Sequence, residues 1–94
     1  MDVKRAIRLA VNTGETTFGV KEASKEIEEG NAKMLIVADN CPEKKFKKDE
    51  FQGVPIYHFD GNNHDLGSAA GKPFTASVIT IIEQGNSNIL SLGE

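Results

Sequence analysis

Met34-Leu35-Ile36-Val37-Ala38 is an unbroken apolar run with no polar residue between its members. A strand with one wet face alternates polar and apolar side chains, so a run without alternation belongs to a strand covered on both faces. Such a strand needs a layer above it and a layer below it. In a chain of 94 residues there is room for one core, so the run predicts the centre of a small sheet in one domain, 1–94.

The flanking segments supply the layers. Val3, Ile7, Ala10 and Val11 recur at helical spacing behind Asp2, a good N-cap, and Gly14 stands where a helix stops, which predicts a helix from Asp2 to about Asn12. Glu15-Thr16-Thr17-Phe18 is β-prone and ends at Gly19. Val20, Ala23 and Ile27 then mark one face of a second helix that Gly30 closes. Beyond the central run, Pro42 permits a short helix through Glu43 to Phe51, Gly53 breaks it, and Val54 to Phe59 reads as a strand that begins at a proline. Asn63 is placed to cap a helix of His64 to Ala70 with Gly71 as its stop, after the turn Gly61-Asn62. Thr75 to Glu83 reads as the last strand, Gln84 to Ser87 as a turn, and Ile89, Leu90 and Leu92 as a short tail packing back on the sheet. Strands alternating with helices give an α/β layer structure, and a helical crossover before the central run predicts parallel pairing there.

Composition narrows the functional classes. With 38% apolar and 27% charged residues the chain is of the folded globular type. No apolar run reaches the roughly 20 residues of a membrane helix, and Met1-Asp2-Val3-Lys4-Arg5 lacks the apolar stretch of a secretory signal, so no membrane association is expected. The single cysteine, Cys41, fits a reducing intracellular setting and leaves no Cys-based metal site. A net charge of −3 argues against indiscriminate binding to nucleic acid, DNA included, yet Lys44, Lys45, Lys47 and Lys48 form a basic run and Lys21 and Lys72 sit beside glycines. A local basic face is compatible with an acidic whole.

Three segments carry recognisable chemistry. Gly19-Val20-Lys21 lies where a strand gives way to a helix, so unpaired N–H groups, the positive end of the helix dipole and one cation face any approaching anion. Gly61-Asn62-Asn63 brings two amides into a turn, groups able to read a base edge and a phosphate, and Gly67 inside the following helix implies a close backbone approach. Gly71-Lys72-Pro73-Phe74 offers a cation, a stiff turn and a ring for an unstacked base or a ribose. Asn40, after the central strand, both donates and accepts hydrogen bonds. Taken singly, each has an ordinary explanation as a turn, a cap or a core ring. Neither a P-loop nor a dinucleotide fingerprint is present, because Lys21 is followed by Glu22 and the spaced glycines are missing.

Enzyme signatures are poor. Cys41 with His58 or His64 is a conceivable nucleophile pair without local sequence support, and the two histidines stand six apart on different elements, so no catalytic or metal-binding residues are assigned and no cofactor is expected. The acidic helix containing Glu22, Glu26, Glu28 and Glu29 leaves open a different class, a small regulatory module that docks on basic proteins.

The order of these segments is more specific than any one of them. Asn12-Thr13-Gly14, Phe18-Gly19-Val20-Lys21, Ala32 to Asn40 and Val54-Pro55-Ile56-Tyr57, then Phe59 to Phe74 and Gly85 to Leu90, resemble the ribosomal protein L-thirty-e family of archaea and eukaryotes along essentially the whole chain. The resemblance implies a three-layer α/β/α sandwich with a small four-stranded mixed sheet. It also implies a non-enzymatic constituent of the large ribosomal subunit in the cytoplasm, binding kink-turn rRNA beside neighbouring ribosomal proteins. The superfamily's other roles, in guide-RNA particles or on a protein's own mRNA, are the alternatives. Carried over by position, the RNA-facing residues are Gly19 and Lys21, Asn40, and Lys72 to Phe74. Between Pro42 and Gly53 the chain departs from that pattern. It is shorter by about one helical turn, with lysines in place of an acidic, tyrosine-rich helix.

Overall fold

A computed structural model describes residues 2–93. Helix α1, Val3–Thr13, starts as the sequence predicts, with the Asp2 carboxylate accepting from Arg5 N at 3.2 Å, and it leads to strand β1, Glu15–Phe18. Helix α2, Val20–Glu28, connects β1 to β2, Met34–Val37, every residue of which is buried. Strands β3, Glu50–Phe51, and β4, Val54–His58, follow, then helix α3, Asn63–Ala69, and strand β5, Val78–Glu83. A 3-10 turn, Ile89–Gly93, brings fully buried Ile89 back into the core.

The strands form one mixed sheet in the order β1-β5-β2-β4-β3. Strand β2 is parallel to β4, with Leu35 opposite Ile56, and antiparallel to β5, with Leu35 opposite Thr80. The parallel pairing is therefore on one side only. Strand β1 is antiparallel to β5, so it runs in the same direction as β2 with β5 inserted between them. The sheet has five strands where the resemblance implies four, and the extra one is the two-residue edge β3.

The unbroken apolar run of β2 is explained by cover on both faces. Met34 and Ile36 join Ile7 and Ala10 of α1, Leu66 of α3, and Ile79 and Ile81 of β5 on one side. Leu35 and Val37 point the other way, to Ala23 and Ile27 of α2, Phe46, Ile56 and Val78. Alternate residues of one strand thus serve two cores, as the two-residue period of a strand requires.

The helix expected from Glu43 to Phe51 is not formed. A single 3-10 turn, Lys44–Phe46, stands there, and the chain then extends into β3. Phe46 and Phe51 are five apart, a spacing that an α-helix does not place on one face. Their rings instead meet edge to face at 5.6 Å, with Phe46 fully buried. Lys45 stretches over both rings, at 5.3 and 5.5 Å, and donates to Ser24 Oγ at 2.9 Å, tying the shortened segment to α2.

Candidate nucleic-acid interface

Strand direction decides where the singled-out residues end up. Strands β1, β2 and β4 run the same way and β5 runs opposite. The segments that follow β1, β2 and β4 and the segment that precedes β5 therefore all lie at one end of the sheet. Those segments contain Gly19 to Lys21, Asn40, Asn62 with Asn63, and Gly71 to Phe74.

At the first of them Gly19 adopts φ 105°, ψ 159°, a backbone conformation that side chains rarely allow, and a Cβ there would meet nothing within 4 Å. Its N–H donates to Val78 O at 2.9 Å, fixing the turn to the start of β5. The first bond of α2 runs from Ala23 N to Gly19 O at 3.1 Å, and no side chain caps the helix. The N–H groups of Val20, Lys21 and Glu22 precede that first bond and are the free donors of the helix end. Lys21 is exposed beside them and has no carboxylate within 4.0 Å among the described residues. Glu22, in the same turn, offsets part of the positive field.

The amides behave differently from one another. Asn62, not Asn63, caps α3: its carbonyl accepts from Asp65 N at 3.0 Å while the Asp65 carboxylate accepts from Asn62 N at 3.1 Å. This reciprocal box needs an acid three residues after the cap, which Asp65 supplies to Asn62. Asn63 is thereby released to meet Asn40. The Asn40 side chain donates to Asn63 Oδ1 at 3.0 Å and accepts from Asn63 N at 2.8 Å, and Asn63 O accepts from Ala76 N at 3.0 Å. Asn40 uses both halves of its amide to join the end of β2 to α3, and Asn63 carries the link on to the segment before β5. Both bonds position Asn63.

In the last segment, Gly67 is the pivot. A Cβ on Gly67 would overlap the carbonyl oxygen of Phe74, so the glycine in α3 is accounted for by close packing of the following loop. Lys72 N donates to Gly67 O at 3.0 Å, and Gly71 takes φ 75°. Phe74 is 49% exposed, the one exposed large apolar side chain among the described residues. Its ring meets Phe18 edge to face at 5.5 Å, and Lys72 Nζ lies 5.8 Å from the Phe18 ring centre. Phe18, at the end of β1, thus joins the Gly19 turn to the last loop. The last strand begins at Val78 and not at Thr75 because Thr75 to Ser77 serve this junction, with Ala76 tied to Asn63 and Ser77 O accepting from Ala38 N. A cleft of about 350 Å³ opens beside Phe74, lined by His64, Ser68 and Lys72 to Thr75.

The surface so assembled combines free peptide donors, an exposed ring on a cleft, and two cations, Lys21 and Lys72, with no carboxylate within 4.0 Å among the described residues. One residue beside it escaped the sequence reading: Arg8 of α1, whose guanidinium lies so near Gly71 that a Cβ there would sit 2.8 Å from Nη2. The available signal is that the chain has only two arginines, Arg5 and Arg8, both on α1.

Cys41 and His58 do line a common cleft of about 290 Å³. Cys41 is buried, however, and His58 Nε2 lies 2.8 Å from Lys48 O. Exposed His64 lies on α3. Among the described residues no group of three or more His, Cys, Asp or Glu side chains is arranged to hold a metal, and no helix is long and apolar enough to cross a membrane.

Comparison with known proteins matches residues 1–91 to the model of the Ribosomal protein L7Ae/L30e/S12e/Gadd45 family. The chain is 43% identical over 99 residues to the Large ribosomal subunit protein eL30 of Methanosphaera stadtmanae, covering 100% of both proteins. It is 42% identical over 97 residues to the protein of the same name from Methanococcus maripaludis, covering 98% of this chain and 91% of that one. With its counterpart in Methanothrix thermoacetophila the identity is 35% over 92 residues, covering 98% and 89%.

Proposed function

Because the chain belongs to the Ribosomal protein L7Ae/L30e/S12e/Gadd45 family, we propose that it is a structural constituent of the large ribosomal subunit that grips a kink-turn of rRNA with the sheet end described above. In this reading residues 1–94 act as one RNA-binding domain, cytoplasmic with its ribosome and in contact with neighbouring ribosomal proteins. No chemical step and no cofactor are needed. The observation that carries the reading is the convergence of the Gly19, Asn63 and Phe74 segments, which the bonds from Gly19 N to Val78 O and Ala76 N to Asn63 O hold together.

A division of labour follows from the chemistry of each group. The N–H groups of Val20 and Lys21 and the Lys21 ammonium meet phosphate oxygens, and the open space at Gly19 admits the sugar-phosphate chain. Phe74 offers its ring to a base unstacked by the bend, with Lys72 over the neighbouring strand. Asn40 and Asn62 keep Asn63 and α3 in place for this. Recognition by shape tolerates the net charge of −3, since affinity comes from a few placed donors.

A gel shift against a kink-turn duplex and a straight duplex of equal length tests the reading. Preference for the bent RNA is expected, and equal affinity for the two overturns it. Lys21→Ala should weaken binding to all kink-turns and reduce the slope of log K against log salt by about 0.7 to 0.9 for the lost phosphate contact. An unchanged slope removes Lys21 from the site.

A further inference from the structure

Helix α1 has no part in the surface proposed above, yet its charge distribution is the most one-sided of the three helices. Lys4, Arg5 and Arg8 stand on it without a single acidic residue from Val3 to Thr13, in a chain that carries 14 acids. Cations three and four residues apart repel one another on a helix. None of their charged side-chain groups has a carboxylate within 4.0 Å among the described residues. They line a groove of about 410 Å³ between α1 and α3, together with Asp65, Ser68 and Ala69. Asp65 is the one acid in the groove, and one of its carboxylate oxygens is committed to Asn62 N in the cap of α3.

We infer that this groove is a second binding site for RNA phosphates, occupied by the strand that flanks the bent element, and the inference rests on the kink-turn reading above. Two observations select RNA backbone as the occupant. The first is the side-chain type: both arginines of the chain are here, and a guanidinium presents a planar fork of donors that fits two phosphate oxygens at once. The second is continuity. Ser68 lines both this groove and the cleft beside Phe74, and Arg8 lies against Gly71, next to Lys72. A strand leaving the Phe74 cleft can pass over Ser68 into the groove, where three cations stand against the single acid Asp65. The groove then extends the grip from the hinge to the stem beside it.

Two RNAs test this with the whole protein: a kink-turn trimmed to its hinge, and the same kink-turn with its flanking stems lengthened. The wild-type protein should bind the longer RNA more tightly, with a steeper dependence on salt. Arg5→Gln with Arg8→Gln should keep the affinity for the trimmed RNA and lose the extra slope on the longer one, about 1.4 to 1.8 for two phosphate contacts. Glutamine is nearly as good a helix former as arginine, so α1 should persist. Since Arg8 touches Gly71, Lys4→Gln with Arg5→Gln serves as a second variant that leaves that contact intact. Equal slopes for wild type and both variants on the longer RNA overturn the inference, as do equal losses on the two RNAs. An acidic protein segment competing while long RNA does not would also overturn it. Failure of the wild type to prefer any bent RNA over a straight one points instead to failure of the function proposed above.

Discussion

The two layers that cover the sheet are built unequally. On one side α1, α3 and the turn at Ile89 close over Met34, Ile36, Ile79 and Ile81, and α3 carries Asn63 and packs Gly67 against the Phe74 loop. On the other, α2 is joined by one 3-10 turn, and buried Phe46, backed by half-buried Phe51, fills the space where a longer helix was expected. That second layer also contains two hydroxyls without partners, Thr17 Oγ1 and Thr80 Oγ1, which sit opposite one another on β1 and β5. Helical material can be removed from the second layer because Phe46, Phe51 and Lys45 brace one another. The first layer carries Asn63 and the Phe74 loop of the candidate RNA surface, whereas the second contributes to it only the first turn of α2 at Gly19 to Lys21.

Substitutions can break this contrast. Phe46→Ala should have the largest effect, a loss of about 3–5 kcal/mol in urea unfolding, because a large ring leaves a cavity in a thin layer. The folded fraction should still bind kink-turn RNA normally; a parallel loss of affinity would show that the layers are not separable. Gly67→Ala comes next, at about 1–3 kcal/mol, through overlap with the Phe74 carbonyl that better helix propensity offsets only in part. Here stability and RNA affinity should fall together, and a stable variant with a displaced loop would sharpen the case. The smallest change is Thr80→Val. Removing a fully buried hydroxyl without a partner should raise stability by up to about 1 kcal/mol with no change in RNA binding, read as a shift of the urea midpoint.

What the sequence disclosed depended on how local the governing physics is. The covered central strand, the Asp2 cap and the start of α2 at Gly19 follow from side chains within a few residues of one another, and they stand as read. The cap of α3 was misplaced by one residue, from Asn62 to Asn63, because the deciding partner is Asp65 and Asn63 is claimed by distant Asn40. The segment after Pro42 carries lysines that favour a helix, whereas its two phenylalanines need each other at a spacing no α-helix provides. Tertiary packing overrode local preference there. Among the site residues, the chemical types at Gly19, Lys21, Lys72 and Phe74 were legible, but their meeting at one end could be expected only through the family resemblance and not from local spacing. That depends on β5 lying between β1 and β2, a pairing across most of the chain. Arg8 passed unnoticed because its cluster with Lys4 and Arg5 reads locally as a solvated helix face, and its significance lies in Gly71 on another element.

The insertion of β5 between β1 and β2 also sets a timetable. Residues Glu15–Phe18 leave the exit tunnel early in translation, but their hydrogen-bonding partners emerge roughly sixty residues later, and Ile89 follows later still. Until then the Gly19 turn has no Val78 carbonyl to lean on and the loop bearing Phe74 has no anchored far end. A nascent chain therefore exposes the proposed RNA-contacting groups before they share a common geometry, which is complete only once β5 has paired between β1 and β2.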